Sequence, residues 1–147
     1  MKFLLALTTL IAATASAAQT IAIGAPLERT SISPGSSMTV EVDRPNSLTG
    51  SQEIAIVIAL SSCASRGGCA NYDVTQILGS VLYSGPYAPA YQTVPGAGWK
   101  PPYQNFTVKV PESLPKGQAS LTVSHFSLIG AGPYPSLEVR NVTLNVV

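Results

Sequence analysis

From Thr20 to Val146 the apolar positions come in short runs, alternating or uniformly β-branched, cut by clusters of Gly, Pro and Ser. No stretch keeps a 3.6-residue period over three turns, so the pattern speaks for strands and against helices. Thr20–Ile23 is a first short strand, ended by Gly24 and Pro26. In Ser37–Val42 the side chains of Met38, Val40 and Val42 share one face, with Thr39 and Glu41 on the other. Glu53–Leu60, EIAIVIAL, is apolar on both faces, as a central strand would be. Ile77–Tyr83 is the next strand, and Phe106–Val110 alternates with Phe106, Val108 and Val110 inward. Ala119–Leu128 and Leu137–Val146 form a hairpin around Gly130-Ala131-Gly132-Pro133.

About seven strands at this spacing, with no helices between them, predict an all-β fold of two antiparallel sheets packed face to face. The segment VPESLPKGQASLTV supports this expectation. Pro111 ends ladder donation after Val110, Leu114 tucks beneath the turn, and Gly117 opens the next strand. Immunoglobulin-like and fibronectin-like sandwiches cross between sheets with such a loop. Cys63 and Cys69 are too close in sequence for the inter-sheet disulfide of antibody domains, so the likeness to those folds is loose.

The start of the chain sets the expected compartment. Lys2, the apolar run Phe3–Ala13 and the small-x-small Ala15-Ser16-Ala17 compose a secretory leader over residues 1–17, cut before Ala18. A buried N-terminal helix is the competing reading, but the chain offers no second helix to pack it. The run is short of the roughly 20 apolar residues that span a bilayer. The leader inflates the 46% hydrophobic content and the mean hydropathy of +0.28, so neither indicates membrane character. Residues 18–147 then form one domain, long enough to bury a core. Of the 8 basic residues Lys2 leaves with the leader, so 7 basic face 7 acidic residues. Such a neutral chain has no basic stripe for nucleic acid or an anionic membrane. The ending LEVRNVTLNVV carries no lipid-anchor signal, so the expectation is a freely secreted monomer.

An even cysteine count in a secreted chain favours a Cys63–Cys69 bridge, and the enclosed ASRGG turns back easily on its two glycines. Asn105-Phe106-Thr107 and Asn141-Val142-Thr143 are N-glycosylation acceptors, each asparagine expected on a solvent-facing strand position. Ser84–Tyr103 resists strand assignment, with five prolines, three glycines, three tyrosines and the only tryptophan. A loop of that length in a compact domain is often functional. Tyr87, Tyr91, Trp99 and Tyr103 form its candidate partner-binding surface. Equally, the four aromatics could fold back and cap an open end of the two sheets.

Catalytic chemistry finds few components. Nucleophilic catalysis needs a base oriented beside a nucleophile. The only histidine, His125, lies inside the strand VSHFSL, where a structural role is expected. A copper oxygenase acting on polysaccharide would begin with histidine after cleavage, whereas this chain begins with alanine or glutamine. Glycosidases place two carboxylates across a cleft. Glu28, Glu41, Asp43, Glu53, Asp73, Glu112 and Glu138 are scattered, and no pair is nominated. No phosphate-cradling loop or calcium loop occurs, and two thiols with one histidine cannot complete a zinc set. The expectation is no enzyme, no metal and no cofactor.

IAIGAP, LGSVLYSGPY, QNFTVKVP and above all LTVSHFSLIGAGPYPSLEVRNVTLNV resemble the necrosis-inducing secreted protein family of filamentous fungi. The resemblance spans essentially the whole of residues 18–147. These are strand-and-turn motifs, and no site residue is carried over from them. The resemblance implies an effector secreted at the host interface, associated with host cell death and with dampening of pattern-triggered immunity through receptor-associated kinases. The alternative is a carbohydrate-binding or cell-wall structural module, with Trp99 and the tyrosines stacked on sugar rings.

Overall fold

The computed structural model describes residues 20–93 and 99–147; the expected leader and the tip of the aromatic loop, 94–98, lie outside them. Eight strands are present among the described residues: β1 (Ala22–Ala25), β2 (Ser31–Ile32), β3 (Ser37–Asp43), β4 (Ser51–Ser62), β5 (Ser80–Gly85), β6 (Tyr103–Lys109), β7 (Gly117–Ile129) and β8 (Tyr134–Val146). They form a three-stranded sheet ordered β1-β3-β6 and a five-stranded sheet ordered β2-β8-β7-β4-β5. One of the two is curled into a half-barrel.

The all-β expectation holds, and its details need correcting. There are eight strands rather than seven, because Ser31–Ile32 is a strand of its own. That strand runs parallel to β8, with Ser31 opposite Asn145, so the larger sheet is not purely antiparallel. Two residues leave no periodic trace in a sequence, which is why the pattern misses it. The expected strand over Ile77–Tyr83 starts at Ser80 and runs through Gly85, two residues into the proline-rich segment.

One apolar cluster draws on both sheets. Val40, Val42, Phe106 and Val108 face it from the smaller sheet. Ile56, Ile58, Leu60, Leu121, Val123 and Leu144 face it from the larger. Burying each of these side chains contributes about 1.5–3 kcal/mol over leaving it in water. Leu114 is buried under its turn as expected, and Gly117, at φ +119°, opens β7. β7 and β8 pair without a break from Gly117↔Val146 to Ile129↔Tyr134 across the turn 130–133.

The strands end in two loop clusters. One end holds the segments 44–50, 86–93 and 99–102, the turn 130–133 and the chain entering β1. The opposite end holds the loops 26–30, 63–79 and 110–116. There Cys63 and Cys69 are joined, with 3-10 turns at Ala64–Arg66 and Cys69–Asn71. Gln118 of β7 pins both cysteines, its carbonyl accepting from Cys63 N at 2.8 Å and its side chain from Cys69 N at 2.9 Å.

Candidate functional site

The structure divides the four loop aromatics into two pairs. Tyr87 is 3% exposed, and its hydroxyl donates to Val42 O at 3.1 Å. Burial, with Glu53 nearby, pushes that hydroxyl far above its ordinary pKa of 10.0. Tyr103 opens β6 and is buried. Between them, Ala90 and Tyr103 exchange backbone hydrogen bonds of 3.2 and 3.1 Å, and Gln104 Oε1 accepts from Ala88 N at 2.7 Å. The arms of the segment are therefore laced to β6 and the core. Tyr91 and Trp99 project from it, 60% and 75% exposed. Capping and surface display are both true, of different residues.

Beneath this end lies a group that the sequence reading did not assemble. His125 is wholly buried in the inward row of β7. Its Nδ1 lies 3.0 Å from Glu138 Oε1, and its Nε2 lies 2.5 Å from Glu53 Oε2. The second contact is close but poorly aligned for a hydrogen bond, so charge rather than geometry carries it. Glu53 Oε1 accepts from Arg44 Nε at 3.0 Å and from the Ser51 hydroxyl at 2.6 Å. Arg44, 6% exposed, donates further to Ser51 Oγ at 2.8 Å and Pro45 O at 3.2 Å. Glu138 Oε1 also accepts from Ile21 N at 2.7 Å, tying the incoming chain to β8.

Electrostatics follow from this wiring. Burial alone would raise the Glu53 carboxyl, but the close His125 imidazole and hydrogen bonds from Ser51 and Arg44 outweigh it and hold the group at about 2. Burial likewise opposes a charged imidazole, yet Glu138 and Glu53 outweigh it and raise His125 above its ordinary 6.5. Tyr87 meets the imidazole edge-on, with ring centres 5.2 Å apart. On β3, burial and then the charge of Glu41 raise Asp43, while Lys100 binds Glu41 at 2.7 Å and covers the Tyr103 ring at 3.9 Å.

Register explains the assembly. Glu138 stands directly opposite His125 across the β7–β8 hairpin. Counting back from the turn 130–133 gives that pair from sequence. Glu53 does not follow by counting: strict alternation puts it on the face of Ala55, opposite to Ile56. A register shift between Glu53 and Ala55, a β-bulge at Ile54, places Glu53 beside the inward row.

Two clefts flank the wall Thr49-Gly50-Ser51. One, of about 520 Å³, lies between Leu48–Gln52 and Leu128–Pro133. The other, of about 260 Å³, lies among Arg44–Ser47, Pro89 and Pro102. Among the described residues Arg44 is the one charged group lining either cleft, and its donors are engaged internally. Segments 45–52, 86–99 and 130–137 contain no charged residue at all, while Leu48, Tyr91, Trp99 and Tyr134 are exposed on them.

The other sequence-nominated positions lie elsewhere. Asn105 on β6 and Asn141 on β8 are both exposed. The Cys63–Cys69 bridge is formed, at the opposite end. No helix among the described residues is long and apolar enough to cross a membrane. Comparison with curated proteins finds no match. A family model does match, over residues 16–145, nearly all of the chain beyond its first fifteen residues. The name fits the necrosis-inducing proteins to which the motifs point, and the chain belongs to the Nis1 family.

Proposed function

We propose that the chain is a secreted, non-catalytic fungal effector that binds host immune-signalling proteins, receptor-associated kinases in particular, and so dampens pattern-triggered immunity or induces cell death. The observation that carries the reading is the uncharged loop end with Leu48, Tyr91, Trp99 and Tyr134 exposed on it. Depletion of charge with enrichment in aromatics is the composition of a protein-interface core. An immunoglobulin-like or fibronectin-like sandwich, in the loose sense, suits this role, because two sheets sharing one core hold such loops at fixed spacing. Secretion through the leader is part of the proposal, as is glycosylation of exposed Asn105 and Asn141. A shift in mass on glycosidase treatment of secreted protein tests the latter.

Co-precipitation from host tissue tests the binding reading. The wild type should retain a receptor-associated kinase and a Tyr91→Ala/Trp99→Ala variant should not. Expression in host leaves should lower the immune oxidative burst; an unchanged burst with no kinase retained overturns the reading. A second reading rests on Trp99, whose 75% exposure suits stacking on a sugar ring. Retention on chitin, glucan or cellulose, lost in Trp99→Ala, would favour that wall-binding module instead.

A further inference from the structure

We propose that the Glu138–His125–Glu53–Arg44 network is a pH-operated support for the loop end, clamping it while His125 carries two protons and releasing it when one is lost. A neutral imidazole has one N–H and one bare nitrogen lone pair. Here both ring nitrogens face carboxylate oxygens, Nδ1 at 3.0 Å from Glu138 and Nε2 at 2.5 Å from Glu53. Both contacts are attractive only when the ring is an imidazolium. In either neutral tautomer one carboxylate meets a lone pair, and two carboxylates are left with Arg44 as the one cation within the network.

The neighbours on every packed element bear this out. On β4 stand Glu53 and Ser51, and on β8 Glu138, with the 44% exposed Arg140 side chain 4.0 Å from its outer oxygen. After β3 comes Arg44, and on β3 Asp43 and Glu41, the latter paired with Lys100. From the proline-rich segment come Tyr87, which brings no charge, and Lys100. Glu41 already takes Lys100, and Arg140 lies at the margin, so neither cation replaces the imidazolium.

The same groups hold the loops. Arg44 N donates to Pro102 O at 2.7 Å, and its guanidinium binds Pro45 and Ser51. Tyr87 rests on the imidazole and bonds Val42 O. Glu138 holds Ile21 N. Repulsion at either carboxylate is thus relieved by movement at the segments 44–51, 86–93 and 99–103. Among the described residues no ion pair or hydrogen bond of this network reaches the disulfide loop at the other end.

The biological use of the switch rests on the reading that this end binds the partner, but the device is measured with no partner present, so the two fail separately. Amide hydrogen exchange of the full secreted chain, corrected for the intrinsic pH dependence, is followed from pH 5.5 to 8. Protection in 44–51, 86–93 and 99–103 should fall relative to 63–79, on the order of tenfold for each pKa unit by which the fold raises the imidazole. Nitrogen NMR of His125 should show an imidazolium at pH 5.5. Glu138→Gln, which keeps an acceptor but can also offer an amide N–H to a bare nitrogen, should flatten the dependence. A neutral ring at pH 5.5, equal change at both ends, or an unchanged profile in Glu138→Gln each overturns the proposal.

Discussion

Where β4 ends and β7 begins, the strands are tied off by a disulfide and uncharged hydrogen bonds. The disulfide closes a separation of 6 residues, 3-10 turns fill the loop, and Gln118 pins it from one position. Charges there stay at the surface, as in the exposed Lys109–Glu112 pair of spacing i,i+3. At the other end the loops are nearly free of charge, and the charges lie beneath them. Ile21 and Glu138, 117 residues apart, are joined there, as are His125 and Glu138 across a hairpin. One end is stapled by a disulfide and by Gln118, 49 residues from Cys69, the other by a buried charge network that exists only in the folded chain. A network of that kind makes the display end responsive to conditions and leaves the stapled end indifferent.

The comparison breaks most sharply at Glu53. Glu53→Ala removes the partner of two buried cations, Arg44 and His125, and should cost about 3 kcal/mol, the lower part of the range for a broken buried pair because Glu53 keeps some exposure. Urea unfolding measures it, and a loss under about 1 kcal/mol would show that the network is not what holds this end. Cys63→Ser with Cys69→Ser should cost about 2–3 kcal/mol by the chain-entropy account. Proteolysis should then enter within 63–79, leaving the pH profile and partner capture as in the wild type.

A smaller effect follows from pH, since it moves one proton rather than a side chain. The folded pKa of His125 lies above its ordinary 6.5, so its contribution is complete below 6.5 and is lost as pH rises through the raised value. Glu53 is held at about 2 against 4.5, so its contribution is complete above 4.5 and is lost as pH falls toward 2. Thermal midpoints should therefore peak between pH 4.5 and 6.5 and fall on both sides. Without Glu53 the peak should broaden. Smallest is the surface pair: Lys109→Ala should change stability by under about 0.5 kcal/mol in calorimetry, as exposed ion pairs do.

How far the site was legible can be read from His125. Its strand and its place among alternating apolar residues were plain, and so was the hairpin that sets its partner. Counting from Gly130 would have reached Glu138, because a four-residue turn fixes every pair behind it. Glu53 was out of reach, since one extra residue in a strand reverses the parity of everything before it and leaves no mark in EIAIVIAL. Tyr87 and Tyr103 looked like Tyr91 and Trp99 because composition cannot say which aromatic turns inward.

The sequence by itself determined the β character, most of the strands, the disulfide partners, the exposed acceptors Asn105 and Asn141, and the family. All of these rest on local properties: side-chain alternation, turn residues, short spacing and contiguous motifs. Only the tertiary structure decided that Arg44, Glu53, His125 and Glu138 meet, that Ser31–Ile32 joins β8 in parallel, and that the uncharged loops share one end. Those outcomes depend on a bulge, on sheet order and on contacts between distant residues, where the energy of a group is set by what surrounds it.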